Sequence, residues 1–429
     1  MQTYISPAKS TWKQILARPV IEAASLETTV AAILSTVKSG GDAAVLGYTK
    51  QFDGVALSSL RVSATEMQQG ISQVPAALQQ AIEQAAANIR LFHTQQVSAV
   101  QVIETMPGVS CWRKSVGIEK VGLYIPGGSA PLFSTLLMLA IPAVIAGCKE
   151  IVLCTPPSAQ GNGAIDPAIL FAAKTAGVTN IFKAGGVQAI AAMAYGTETI
   201  PQVYKIFGPG NQYVTCAKQL VQRDGIAIDM PAGPSEVAVY ADATANPSFV
   251  AADLLSQAEH GPDSQVLLVL PDKALAAAVE AALEEQLQLL PRKDIAAKAM
   301  ANSKIIIADN EPMAIEILNE YAAEHLILSC ANASAMANQI INAGSVFLGH
   351  YSPESVGDYA SGTNHTLPTN GYARVYSGVS VDSFVKKITY QQLTKEGLAN
   401  IASTVEVMAA AEGLQAHKNA VSIRLQSPL

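Results

Sequence analysis

The sequence predicts an α/β fold built on two parallel sheets. Short apolar, β-branched runs alternate with helical stretches from Lys120 to Gln222, and several of those helices open on Gly-rich turns. A second alternation runs from Val237 to Leu348. The chain is 429 residues long and half apolar, enough to bury more than one core. Such alternation means parallel strands joined by crossover helices.

In the first set, Lys120–Ile125 reads as a strand, and Gly127-Gly128-Ser129 turns it into an apolar helix over Leu132–Ala146. Ile151–Thr155 is the next strand, then Ala168–Ala176 a helix and Asn180–Lys183 a strand. Gly185-Gly186 opens the helix Val187–Tyr195, and Gly208-Pro209-Gly210 separates the strand Tyr204–Phe207 from the helix Gln212–Gln222. In the second set, Val237–Tyr240, Gln265–Leu270, Lys304–Ile307, His325–Ser329 and Ser345–Leu348 read as strands. The segment Ser352–Ser380 is rich in Gly, Ser, Tyr, Asn and Thr without a clear period, the mark of a functional loop in a compact enzyme. The tail, Val381–Leu429, returns to a helical pattern.

Composition removes several function classes. A net charge of −7 and the lack of a basic run argue against a nucleic-acid partner, which needs clustered Lys and Arg. Only 14% of residues are charged, so much of the surface is uncharged and suited to an oligomer interface. The five cysteines, Cys111, Cys148, Cys154, Cys216 and Cys330, are odd in number and form no CxxC pair, which fits a reducing, cytoplasmic setting. Leu132–Ala146 is too short to span a bilayer and is interrupted by Pro142. Met1 to Trp12 lacks the basic-then-apolar order of a signal peptide.

The chemistry-bearing residues fall into four places. Asn246 and Pro247 start a helix, and Gly261-Pro262 ends it near His260. Asp253, Gln257 and His260 then share one face, so Gln257 and His260 could reach one ion; equally, a helix-end His can simply meet the last carbonyls. Glu324-His325 stands at a helix-to-strand junction, where a His can act as general base or the pair can be an exposed connection. Asp358 lies in a Gly-containing loop and could ligate a metal or cap a turn. Glu412 and His417 lie on the tail with Gly413 between them, either as site residues or on a solvated helix. The Gly185-Gly186 and Gly208-Pro209-Gly210 turns suit anions at helix N-termini, but neither is a GxGxxG fingerprint. Cys111 or Cys154 acting as a thiolate on an aldehyde is a rival mechanism, set against their reading as small buried apolar groups.

Together these segments resemble the histidinol dehydrogenase family. The stretches that carry the resemblance are Val121 to Gly128, Phe207 to Asn211, Asp229 to Glu236, Ser256 to Pro262, Glu324 to Leu326, Ser355 to His365 and Glu412 to His417. They cover nearly the whole chain in order; the first hundred residues match less distinctively. The resemblance implies two Rossmann-like parallel-sheet domains, a small N-terminal helical segment over 1–22, and a helical C-terminal tail over 381–429 that reaches the partner subunit of a homodimer. It divides the body into one α/β domain of 23–123 with 235–380, carrying zinc and the catalytic residues, and a second of 124–234 that contacts NAD.

The resemblance also implies the reaction: oxidation of L-histidinol to L-histidine in two steps through a bound aldehyde, with one Zn2+ per site and two NAD consumed. It assigns Gln257, His260, Asp358 and His417 to zinc. It assigns Ser235, Gln257, His260, His325, Asp358, Glu412 and His417 to substrate, Glu324 and His325 to catalysis, and Tyr124, Gln188 and Asn211 to the cofactor. Neutral His325 would take the alcohol proton and later the hydrate proton, and Glu324 would deprotonate water. The implied reaction removes the thiolate mechanism. Other classes that the residues alone allow are a related zinc and NAD dehydrogenase of another small alcohol, a zinc hydrolase, and a non-catalytic metal-binding protein.

Overall fold

The computed structural model describes residues 1–18, 24–127, 131–231 and 233–426. Among them the strands form three sheets. The largest has six strands, all parallel, in the order Gln2–Ile5, Lys304–Ile307, Gln265–Leu270, Glu236–Ala241, His325–Ser329, Ser345–Leu348. Of its four inner strands, Gln265–Leu270, Glu236–Ala241 and His325–Ser329 are buried at every residue. Continuous apolar runs of this kind are what a parallel sheet covered on both faces requires.

A second parallel sheet has five strands in the order Asn180–Lys183, Glu150–Thr155, Lys120–Tyr124, Lys205–Phe207, Ala227–Ile228. The apolar stretch after Lys120–Tyr124 is the helix Phe133–Ile145, buried from Ser134 to Ala143. It packs in a core with Leu123, Leu153 and Leu170, so it is a covering helix of this sheet. Part of the turn expected at Gly127-Gly128-Ser129 lies outside the described residues. Among the described residues no helix is long and apolar enough to cross a membrane.

Three features depart from the expected layout. First, the N-terminal segment is not simply helical: Gln2–Ile5 is an edge strand paired with Lys304–Ile307, and the helix Trp12–Ile15 that follows is one turn long. A four-residue strand has no local signature, and its pairing partner lies three hundred residues away. Second, the helices within 24–94 pack on the five-stranded side rather than on the domain of 235–380. Val30, Leu34 and Val37 share a core with Ile190 and Met193, while Ile82 and Ile89 share one with Leu136 and Leu170.

Third, the tail is not helical throughout. Val385–Leu393 is a strand, antiparallel to Val109–Gly117, which pairs in turn with Val102–Met106. Its run Val-Lys-Lys-Ile-Thr-Tyr carries β-branched and aromatic residues suited to a half-exposed ladder. The remainder of the tail is helical, Lys395–Ala411 followed by Gln415–Gln426, and the second of these buries no residue.

Candidate active site

The candidate site forms at the amino ends of the large sheet. Ligands usually bind at the carboxyl ends of parallel strands, so this edge needs a local explanation. Helix Glu311–Tyr321 is capped by Asn310, which accepts from Met313 N, and closes on Ala322 in the left-handed region at φ 52°. That turn sends Ala323 and Glu324 back toward the sheet, and His325 becomes the first residue of its strand. Ser235 is placed alongside, one residue before Glu236–Ala241. The Glu236 amide donates to Glu324 Oε2 at 3.0 Å, which fixes one carboxylate oxygen and leaves the other for chemistry.

The helix Pro247–Ala258 delivers Gln257 and His260 to the same edge. Asn246 caps it by accepting from Ser248 N, with Pro247 in the first turn, as the sequence implies. It ends at Ala258 with Glu259 as a right-handed cap, so Gly261 is not a left-handed stop. His260 therefore lies in the turn beyond the helix and remains exposed, while Gln257 is fully buried. Both polar atoms of the Gln257 amide lack a hydrogen-bond partner. A buried amide with neither end satisfied is costly, and a ligand at this point would relieve it.

Asp358 arrives on the short helix Glu354–Tyr359 inside the irregular 352–380 segment. One ligand atom each from His260, Glu354 and Asp358 lie within 4.8 Å of one another. Glu354 carried no sequence signal, because a Glu in the first turn of a helix reads as ordinary dipole matching. His365 also received no role of its own. Its Nδ1 sits 2.9 Å from the Asp358 carbonyl, and its Nε2 2.8 Å from Thr135 Oγ1. Thr135 is in the first turn of Phe133–Ile145, so this pair pins the acidic loop to the other sheet's helix.

His325 stands at the centre of the group. Asp358 Oδ1 is 3.4 Å from Nε2, Glu324 Oε2 is 3.7 Å and Glu354 Oε1 3.9 Å from Nδ1. These are ion-pair distances without hydrogen-bond alignment, and both ring nitrogens count as unpartnered. Burial acts to lower the His325 pKa, but Glu354, Glu324 and Asp358 outweigh it and raise it to about 10. Three carboxylates around one ring favour the charged form of the imidazole. Burial raises both Glu324 and Glu354 to about 8, with His325 opposing in each case. For Asp358, burial is outweighed by its contact with His325 and by His365 and His260, so its pKa falls. Desolvation lowers His260 and His365, with Asp358 opposing in both. The group is a set of coupled acids and bases able to take up and release protons near neutral to alkaline pH.

The tail residues are elsewhere. Glu412 and His417 are exposed, and no hydrogen bond or ion pair among the described residues joins them to this cluster. Cys154 is completely buried and its thiol is pushed far up by desolvation, the reverse of a nucleophilic thiolate.

The residues singled out for the cofactor do come together. Tyr124, Gln188 and Asn211 line one cavity of about 990 Å³ at the carboxyl ends of the five-stranded sheet. Pro131, just before the Thr135 helix, lies on the same wall. Tyr124 accepts from Gly186 N at 3.0 Å, Gln188 Oε1 is buried without a partner, and Asn211 caps the helix Gln212–Arg223. The turn before that helix needs glycine. Gly208 has φ +128°, and a Cβ there would meet Tyr124 O at 2.0 Å. A buried ion pair secures the turn: Lys218 Nζ contacts Asp229 Oδ1 and donates to Gly208 O at 2.9 Å, while Gly208 N donates to Asp229 Oδ2 at 2.8 Å.

The family model described as histidinol dehydrogenase matches residues 16–425. Histidinol dehydrogenase of Bacteroides fragilis is 60% identical over 420 residues, covering 98% of each chain. That of Mannheimia succiniciproducens is 55% identical over 96% of each. The crystal structure of histidinol dehydrogenase from Elizabethkingia anophelis superposes with a TM-score of 0.97 at 56% identity, over 99% of this chain and 98% of that one.

Proposed function

This chain belongs to the histidinol dehydrogenase family, and from that premise we propose how its residues carry out the reaction. Its enzyme class is an oxidoreductase acting on a CH–OH group in histidine biosynthesis. The fuller reading is a zinc-dependent, NAD-linked oxidation of L-histidinol to L-histidine through a bound aldehyde. One observation carries it: the Glu324–His325 dyad lies against a His260–Glu354–Asp358 ligand group, and the helix just before His260 carries a buried Gln257 whose amide has no partner.

The donor set fits a zinc ion. Gln257, His260 and Asp358 offer nitrogen and oxygen ligands of the kind zinc accepts. We assign the fourth position to His417 from a second copy of the chain, in a cytoplasmic homodimer. Support for that second copy comes from the tail, where Val407 and Met408 stay exposed at 66% and 59%. Glu354, within reach of His260 and Asp358, is the competing donor inside one chain. When bound, the metal supplies positive charge that orients the substrate and offsets the surrounding carboxylates.

The chain's own groups then move the protons. His325, once neutral, accepts the alcohol proton on a ring nitrogen as hydride leaves for NAD in the cavity by Tyr124, Gln188 and Asn211. Glu324, held at one oxygen by the Glu236 amide, takes a proton from water, and the resulting hydroxide adds to the aldehyde carbon. His325 gives its proton to the alkoxide so formed, becoming neutral again, and then accepts the hydrate proton as the second hydride leaves. Ser235, beside Glu324, and Glu412 from the second copy contact the substrate's polar groups. General-base help of this kind contributes about 10²–10⁴-fold.

The test is NADH formation with L-histidinol before chelation, after it, and after zinc is restored. Loss and return of two NADH per L-histidinol are expected. No NADH at any stage refutes the dehydrogenase reading, and NADH from other alcohols alone refutes the substrate.

A further inference from the structure

Two carboxylates face the cavity of Tyr124, Gln188 and Asn211, and no Lys or Arg does so among its described lining residues. Asp166 is committed to structure, since its Oδ1 accepts from Ala168 N at 2.8 Å and caps the helix Pro167–Ala176. Asp53 has no such employment. It follows the last residue of the helix Ala24–Phe52, its amide donating to Thr49 O at 2.9 Å. The carboxylate therefore sits at a helix C-terminus, where the dipole disfavours negative charge. Its Oδ2 is buried without a hydrogen-bond partner, and no ion pair among the described residues neutralises it. Desolvation raises its pKa to about 6.

Its position is specific. A Cβ on Gly185 would stand 3.3 Å from Asp53 Oδ1, so the carboxylate adjoins the turn that opens the helix Gly186–Tyr195. A half-buried carboxylate held against a helix dipole and left unpaired costs stability, and nothing in the fold uses it.

We infer that Asp53 receives the ribose hydroxyls of NAD and makes this cavity reject NADP. The inference rests on the NAD reading of the cavity proposed above. A vicinal diol presents two O–H donors, and a carboxylate offers two acceptor oxygens. Acidic residues take this part toward the 2′-hydroxyl in other dinucleotide sites. A 2′-phosphate would instead bring negative charge against Asp53 and Asp166 with no cation on the wall to meet it.

The experiment compares the full-length enzyme with Asp53→Asn and Asp53→Ala. It measures KM for NAD, NADP and L-histidinol, direct NADH binding by fluorescence, and thermal melting at pH 8. Asp53→Asn is expected to raise KM for NAD about ten- to hundredfold, the effect of losing a charged acceptor. KM for L-histidinol should not follow. Preference for NAD over NADP should fall at least tenfold, and the melting temperature should hold or rise because an unpaired charge is gone. Equal weakening of NAD and NADP, or unchanged preference, overturns the inference and leaves the proposed function standing. A melting temperature well below that of the unsubstituted enzyme overturns it as well, because Asp53 would then be structural. A wild-type enzyme that reduces neither nucleotide with L-histidinol overturns both.

Discussion

Replacing Glu324 with Gln separates the two oxidation steps. The side chain is buried, and Glu236 N donates to its Oε2 at 3.0 Å. Gln has the same shape and can keep that bond through its own carbonyl oxygen, so the local packing should survive. What it cannot do is accept a proton from water. If Glu324 is the base for hydration of the aldehyde, the second step should slow by about 10²–10⁴-fold, equivalent to roughly 3–5 kcal/mol of barrier. The first step relies on His325 and should fall much less. The assay is a single turnover with L-histidinol and excess NAD. The unsubstituted enzyme should form two NADH per site in the fast phase, and Glu324→Gln one. Two NADH per site at an unchanged rate would refute the assignment. The same residue sets a pH trend. Its carboxyl is raised from 4.5 to about 8 by burial. The folded chain therefore holds this proton where the unfolded chain has lost it, and the stability it contributes declines as pH climbs from about 4.5 to 8. Glu324→Gln should flatten that decline in urea unfolding of the metal-free protein, while activity of the unsubstituted enzyme rises toward alkaline pH.

Three further outcomes are expected. His260→Asn should lose zinc and activity together by elemental analysis and NADH assay, and full zinc content would count against His260 as a ligand. Inactive His417→Ala mixed with inactive Glu324→Ala should regain about a quarter of full activity, since half of the chains form mixed pairs at random and each such pair holds one intact site if sites are shared; no recovery in verified mixed pairs would mean that each chain completes its own site. Lys218→Met strands Asp229 as a buried unpaired charge, which should cost about 3–5 kcal/mol in urea unfolding and raise KM for NAD through the Gly208 turn; unchanged stability would show that the pair holds nothing.

Legibility varied with the range of the signal. The inner strands and the helix cap at Asn246 were readable because a continuous apolar run and an Asn-Pro start are local features. Gln257 with His260, Glu324 with His325, and Asp358 were visible as polar residues at element ends or in a loop, but only the family resemblance joined the three places into one site. Glu354 and Asp53 were invisible. Each looks like an ordinary acid at a helix end, and what marks it is burial beside other charges or beside a cavity. The edge strand Gln2–Ile5 and the strand Val385–Leu393 were missed because their partners lie far away in the chain.

By itself, then, the sequence determined the two parallel sheets, the lack of a disulfide framework and the residues able to do chemistry. These follow from side-chain period, composition and turn chemistry, all of which act within a few residues. Tertiary structure alone decided which sheet the helices of 24–94 cover, because apolar faces of that kind can pack on either layer. It also decided that the dyad sits at the amino edge of its strands, turned there by left-handed Ala322. Finally, it set the proton affinities of Glu324, Glu354 and His325, since these depend on burial and on carboxylates brought within 4 Å of the His325 ring by the fold.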